Sequence, residues 1–368
     1  MSKIGGVFML KRQSWFWAIL LISIGLLTIG PAPTANAAAS VSQLSRQQGL
    51  LIDLGRHPMT EPDLKQVIRA AAARKVNYLV LHLSDNEHLS FQSKYLGNRA
   101  SKTVLSQAAL RRLVTYSNAR HVQLVPDVDV PSHAGAILRQ LKKKRPKTYR
   151  AVKLDRETLN YTHRQTNTVV KAIYRELDRT FKHQRHHAFI LGADEVPGNT
   201  AAYHTLTTFI NDLSRYQNQQ GYTTVIWNDS ILKRELPRLS KNIVVNYWSQ
   251  SGNHSETRSL KDRKTMRASV PNLVKAKRKI VNANSYAAYY QLKYIGNQRH
   301  DDYFINYLKN RYRPNLFNEI DKHGQNQNRT LERGVKTNGT LVCLWGHDSK
   351  HISTKQIVNF IQRLTIPK

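Results

Sequence analysis

The chain has one cysteine, Cys343, in 368 residues. That excludes an intramolecular disulfide, a Cys-rich zinc site and an iron–sulfur cluster held by several thiolates. Acidic residues are also scarce, 24 against 57 Lys and Arg, for a formal net charge of +33. Such an excess suits an anionic partner: nucleic acid, a polyanionic wall polymer or an anionic membrane surface. No G-x-G-x-x-G follows the first predicted strand, so dinucleotide binding has no support. Internal repeats are absent. Long hydrophobic runs are limited to one, the 16 residues Trp15–Gly30, shorter than the roughly 20 a spanning helix needs.

Around that run the pattern is ordered. Lys3, Lys11 and Arg12 precede it, and Pro31, Pro33 and Ala35-Asn36-Ala37 follow. A positive start, an apolar middle and an A-x-A site predict a cleaved secretory signal over residues 1–37, with an uncleaved anchor as the alternative. Export would place the protein outside the cell, where nucleic acid is an unexpected partner. Retention on an anionic cell wall is then the natural use of the charge, with no stable membrane insertion after cleavage. Residues 38–48 are small and polar and read as a linker.

From Gly49 onward short apolar runs alternate with stretches of helical spacing. The predicted strands are Leu50–Leu54, Tyr78–Leu83, Gln123–Val125, Ala188–Leu191, Thr223–Trp227, Ile243–Tyr247, Ile280–Asn282 and Thr340–Leu344. Helices are predicted at Glu61–Arg74 after Thr60, Gln107–Arg120 after Ser106, Asn167–Phe181 after Thr166, Ala201–Gln219 after Thr200, and Thr354–Leu364 after Ser353. Each preceding Ser or Thr can satisfy orphan N–H groups of a first turn. This alternation predicts one (β/α)8 TIM barrel over residues 49–368, a doubly wound open sheet being the alternative. Two segments, Ser249–Ala268 and Gly296–Asn338, exceed ordinary loop length and would shape access to one end.

Polar and aromatic residues recur just after the predicted strands. They are Arg56 and His57, Asp85 and Glu87, Asp127, Asp129 and His133, Asp194 and Glu195, Trp227 and Asp229, then Trp248, Tyr286 and Trp345. On a barrel they converge on one mouth. Adjacent Asp194 and Glu195 could both point into water, or one could pair with an Arg. At a strand terminus both could instead reach one ligand, one protonated as an acid and one ionised. Trp227, Trp248 and Trp345 fit either core packing or an aromatic box around a sugar ring. His183, His186 and His187 read as a solvated basic turn rather than a metal site, and no metal or cofactor is expected.

Read in order, the motifs resemble those of the family-20 glycoside hydrolases, the β-N-acetylhexosaminidases, and in particular their single-domain dispersin-like branch. Leu51-Ile52-Asp53-Leu54-Gly55-Arg56-His57 resembles the first-strand motif. Leu81-His82-Leu83-Ser84-Asp85-Asn86 resembles H-L-S-D-D. Pro126-Asp127-Val128-Asp129-Val130-Pro131-Ser132-His133 resembles P-E-I-D-x-P-G-H, and Gly192-Ala193-Asp194-Glu195-Val196 resembles G-G-D-E-V. Trp227-Asn228-Asp229 and Leu344-Trp345-Gly346 match tryptophan motifs. The resemblance implies a retaining, substrate-assisted glycosidase with a catalytic domain over 49–368. Glu195 would be the acid and base, and Asp194 the support for the substrate acetamido group. Tyr286, with Tyr289 as the second choice, would hydrogen-bond its oxygen. Substrate-binding positions would be Arg56, Asp85, Asp129, His133, Trp227, Asp229, Trp248, Tyr289, Trp345, His347 and Asp348. His133 could contact the catalytic Glu or satisfy backbone. His347 stands where the family has Glu, which leaves open a binding protein that no longer cleaves. The implied partner is a glycan containing β-linked GlcNAc, with biofilm poly-β-1,6-GlcNAc suggested by the branch. That polymer is often partly deacetylated and cationic, so a basic protein should repel it unless its cleft is locally acidic.

Overall fold

The computed structural model describes residues 47–198 and 200–367. The expected signal, and the expected linker up to residue 46, lie outside the described residues. The first strand begins at Gln47, so the last two residues of the expected linker, Gln47 and Gln48, belong to it.

Eight parallel strands close into a barrel: β1 (Gln47–Asp53), β2 (Tyr78–Ser84), β3 (Gln123–Val130), β4 (Ala188–Gly192), β5 (Thr223–Trp227), β6 (Val244–Tyr247), β7 (Lys279–Asn282) and, after three short strands, β11 (Gly339–Trp345). Closure is the β1–β11 pairing, with Leu50 opposite Val342, while Leu50 faces Leu79 of β2 on its other side. Alternate side chains face the interior and the helices, and both faces are buried, so the strands read as near-continuous apolar runs. Leu51, Val80, Val125, Ile190, Val225, Val281 and Cys343 fill the barrel interior. Their neighbours Leu50, Ile52, Leu79, Leu81, Leu124 and Leu191 pack outward in the second cluster, with the helices. Each such side chain contributes about 1.5–3 kcal/mol on burial.

The helices between them are α1 (Glu61–Ala73), α2 (Gln107–Asn118), α3 (Gly135–Lys144), α4 (Pro146–Val152), α5 (Arg164–Phe181) and α6 (Thr200–Gln219). Further on lie α7 (Thr257–Met266), α8 (Val270–Lys275), α9 (Gln298–Asn310) and α10 (Thr354–Arg363). Thr60 and Ser353 close capping boxes with Asp63 and Gln356, as their spacing predicts. The expected start of α5 is corrected: His163 caps it, and the Thr166 hydroxyl lies within its first turn, bonded to the Asn160 carbonyl. Both long segments carry structure. Residues 249–268 hold α7, and 296–338 hold α9 and an antiparallel pair, β9 (Leu316–Ile320) with β10 (Asn326–Leu331). The short β8 (Tyr289–Gln291) pairs with the upper half of β11, Cys343 opposite Tyr289. Among the described residues no helix is long and apolar enough to cross a membrane.

Candidate active site

The interior parity of the strands continues upward into chemistry. Two residues above Leu51 stands Asp53, above Val80 stands His82, above Val125 stand Asp127 and Asp129, and above Cys343 stands Trp345. The strand C-termini thus turn polar where the apolar interior ends, the usual place of a barrel active site. Here a cavity of about 590 Å³ opens, lined by Arg56, Asp85, Asp129, His133, Asp194, Glu195, Trp248, Tyr289, Trp345 and His347 among the expected site residues.

Backbone geometry brings the two adjacent acids together. Gly192 has φ +91°, Ala193 +67° and Glu195 +49°. A regular strand would send Asp194 and Glu195 to opposite faces. The left-handed residues end that alternation, at a cost of about 1–3 kcal/mol for each that is not glycine, and both carboxyls line the cavity. The Ala193 N–H donates to the Val130 carbonyl at 3.0 Å, and the Glu195 N–H to Asp229 at 3.1 Å. These anchors hold the turn.

Beneath them runs a chain of charge. Asp53, fully buried, accepts from the Arg56 N–H, the Arg56 guanidinium and the Gly346 N–H. The same guanidinium pairs with Asp85 at 2.6 Å. His82 places Nδ1 2.8 Å from Asp127 and Nε2 3.0 Å from Asp85. Flanked by two carboxylates, it is held as an imidazolium: burial opposes its charge, yet Asp127 and Asp85 carry its pKa up to about 10. His133 follows, its Nε2 3.3 Å from Glu195 and its Nδ1 3.6 Å from Asp85. Burial disfavours its charge as well, but the two carboxylates raise its pKa well above the usual imidazole value. Conversely, burial would raise Glu195, but the His133 contact, aided by Arg56 and Asn253, holds it below the usual carboxylate range. Asp194 is buried, which, with Asp229 and Glu195 nearby, pushes its carboxyl up to about 6. Its Oδ1 has no hydrogen-bond partner among the described residues.

Asp129, His133 and Asp194 each offer one donor atom within 4.8 Å of the others, a spacing a metal ion could use. A protonated imidazole has no lone pair to give, and the carboxylates on either side of His133 keep it protonated. The arrangement therefore suits proton transfer better than metal ligation.

The aromatic wall is continuous. Tyr289 stacks on Trp248, with centroids 6.1 Å apart and planes 9° apart, and meets Trp345 edge-on at 5.4 Å. The Trp248 indole N–H donates to Asp229 at 3.1 Å, which fixes its plane. Arg56 lies over Trp345 at 5.5 Å.

Four expected residues fall elsewhere. Trp227 is 1% exposed and sits behind Tyr289 and Trp345, backing the wall rather than lining the cavity. Asp229 is buried against Trp248, the Glu195 N–H and Arg267, so it positions its neighbours. Tyr286 is 39% exposed and outside the cavity lining, its hydroxyl 2.9 Å from that of Tyr303. A turn in which Ala287 and Ala288 N–H groups both donate to the Asn284 carbonyl separates it from Tyr289. Asp348 is exposed and paired with Lys293 at 3.2 Å, while His347 beside it lines the cavity. The sequence reading assigned no role to Asn253, which bonds Glu195, nor to Glu157, Ser285 and Gln291, which also line the cavity. Asn253, Ser285 and Gln291 come from the segments after β6 and β7, where no periodicity marks them; His82 was visible only as a residue of a motif, and Glu87 only as one of the polar residues that follow the strands.

Comparison with known proteins agrees with this geometry. The model of glycosyl hydrolase family 20, catalytic domain, matches residues 47–360. A β-hexosaminidase of Emericella nidulans is 24% identical over 239 residues, covering 55% of this chain and 39% of its own. A β-N-acetylhexosaminidase of Cellulomonas fimi is 35% identical over 100 residues, covering 24% of this chain and 20% of its own. The chain spans about two fifths or less of the length of these curated relatives. The fold is similar to that of dispersin B, with TM-score 0.78 at 24% identity over 87% of this chain and 97% of that one. The match over nearly the whole described barrel places this chain in glycosyl hydrolase family 20, as a catalytic domain of that family.

Proposed function

We propose that the chain is an exported β-N-acetylhexosaminidase that hydrolyses glycans containing β-linked GlcNAc with retention of configuration. The observation that carries this is the opening of both Asp194 and Glu195 onto one cavity walled by Tyr289, Trp248 and Trp345. Glu195 donates a proton to the glycosidic oxygen as the C–O bond breaks. The acetamido oxygen of the substrate forms a bond to the anomeric carbon, giving an oxazolinium ion. Asp194, as carboxylate, accepts a hydrogen bond from the acetamido N–H and offsets the developing positive charge. Tyr289, rather than Tyr286, donates its hydroxyl hydrogen to the acetamido oxygen. Water then attacks the anomeric carbon, Glu195 takes its proton, and the ring opens. No enzymic nucleophile is needed, which fits a site whose two acids are chain neighbours.

Arg56 and His347 support binding of sugar hydroxyls at the far side of the cavity. The leader-like residues 1–37 support secretion, and the basic surface supports contact with an anionic cell-wall polymer. Poly-β-1,6-GlcNAc is the first polymer to test. Six of the 24 acidic residues line the cavity, which lowers the electrostatic objection to it. Much of that charge is met internally, by Arg56, His82 and His133.

The test is hydrolysis of a chromogenic β-GlcNAc glycoside by wild type, Glu195→Gln and Asp194→Asn. Wild-type turnover with a loss of about 10²–10³ in each variant is expected. Wild-type rates in Glu195→Gln would remove the acid assignment, and binding without turnover in the wild type would leave a glycan-binding protein on this fold.

A further inference from the structure

A second cavity, about 580 Å³, adjoins the first, and Glu87 lines both. It lies between the segment after β2 and helix α3, and its charge is opposite in character. Arg99, Arg139, Lys143 and Lys144 line it, against the single carboxylate of Glu87. The cations of the catalytic cavity are matched: Arg56 meets Asp53 and Asp85, and His133 meets Glu195. None of the four cations in the second cavity makes an ion pair among the described residues.

Parts of this pocket are held in place. The Arg139 guanidinium donates to the Glu87 carbonyl at 2.7 Å. The Lys144 stem lies against Gly97, where an added Cβ would meet its Cγ at 3.1 Å. Next to them Arg145 lies 4.4 Å over the Tyr95 ring and donates to the Tyr95 carbonyl at 2.8 Å. Uncompensated cations gathered around a concavity, two of them held by their neighbours, fit an oxyanion better than a neutral sugar.

We propose that this pocket receives a carboxylate, sulfate or phosphate group carried by the same glycan whose N-acetylhexosamine enters the catalytic cavity. Acidic glycans are then the preferred substrates over neutral or cationic ones. The inference rests on the hydrolase reading above. Sharing of Glu87 by the two cavities favours one continuous ligand over a separate polymer.

The experiment compares kcat/KM, at one fixed ionic strength, on three unsulfated probes and one sulfated one. The unsulfated probes are a GlcNAc–glucuronate–GlcNAc trisaccharide with β linkages, chitotriose, and a partly deacetylated β-1,6-GlcNAc trimer; a 6-O-sulfated chitotriose separates sulfate from carboxylate recognition. The wild type should prefer an acidic probe about tenfold or more. In Arg99→Ala/Lys143→Ala/Lys144→Ala that preference should vanish through KM, with hydrolysis of the chromogenic monosaccharide unchanged within about twofold. Equal wild-type constants on all probes, or a preference that survives in the triple variant, overturns the proposal. So does a polyol phosphate or duplex DNA that binds through these residues without competing with substrate. Calorimetric binding of the acidic trisaccharide to Glu195→Gln, with and without the triple substitution, reads the pocket independently of turnover. Binding about tenfold weaker with the substitution supports the pocket, and equal binding overturns it, even if the hydrolase reading fails.

Discussion

His133 Nε2 lies 3.3 Å from Glu195 Oε2, and this contact makes the two side chains one acid. In the free protein the proton rests on the imidazole, since Glu195 is held low and His133 high. The proton that Glu195 gives to the leaving oxygen is therefore the one the pair retains up to the raised pKa of His133. Activity should persist above pH 6.5, the ordinary imidazole value, and fall only as that proton is lost. In His133→Gln the proton must sit on Glu195 alone, so the basic limb of kcat/KM should move to lower pH. The rate should fall by about 10²-fold, in the range expected for a lost acid–base partner. An unmoved basic limb in a pH series on the chromogenic glycoside would show that His133 serves the backbone instead.

Asp194 sets the opposite limb. It must be a carboxylate to offset positive charge on the acetamido nitrogen, and burial pushes its carboxyl up to about 6. A raised acid is protonated first as pH falls, so kcat/KM should drop through a midpoint near pH 6, well above the ordinary Asp value of about 3.9. The Asp194→Asn protein, with nothing to titrate there, should lose that limb as well as most of its rate. A wild-type limb near pH 4 would contradict the buried placement.

The two tyrosines make a sharper contrast. Tyr289 lines the cavity between Trp248 and Trp345, whereas Tyr286 bonds Tyr303 outside it. Tyr289→Phe should lower kcat by about 10²-fold, because the hydroxyl that holds the acetamido oxygen in line with the anomeric carbon is lost and small misplacements of a reacting group are that costly. Tyr286→Phe should change kcat less than about twofold. The reverse order in steady-state assays would return the acetamido contact to Tyr286.

That contrast also shows where the sequence stopped being legible. The eight barrel strands were readable because both faces are buried, so each appears as an uninterrupted apolar run. Their chemistry was readable because polar residues such as Arg56 and Asp194 follow those runs directly. Tyr289 was ambiguous because it belongs to β8, three residues long, too short to show a period. Its register comes from pairing with Cys343 on β11. Asn253 was not legible at all: it reaches Glu195 across 58 residues from a segment without alternation. Trp227 illustrates the opposite limit. The strand pattern placed it at the barrel mouth, but depth relative to Tyr289 and Trp345 depends on packing that no local pattern carries.

The turn that aims both acids depends on Gly192 in two separable ways. Its φ of +91° is unfavourable for any other residue, and an added Cβ would stand 1.8 Å from Asp129 Oδ1 and 2.9 Å from Asp129 Cα. The second contact is backbone, so a side-chain rotation cannot relieve it. Gly221, with φ +83° and nothing within 4 Å, isolates the conformational part. Gly221→Ala should therefore cost about 1 kcal/mol, the range for a strained turn position, and leave kcat unchanged. Gly192→Ala should cost about 2–4 kcal/mol by adding overpacking to strain. Because β4 and Asp129 must part to admit the methyl, Asp194 should move with them and kcat should fall by more than about 10²-fold, since small misplacements of catalytic groups are that costly. Thermal melting and kinetics on the two variants separate these terms. Equal melting temperatures and equal kcat would mean that the close approach of β3 to β4 holds nothing in place.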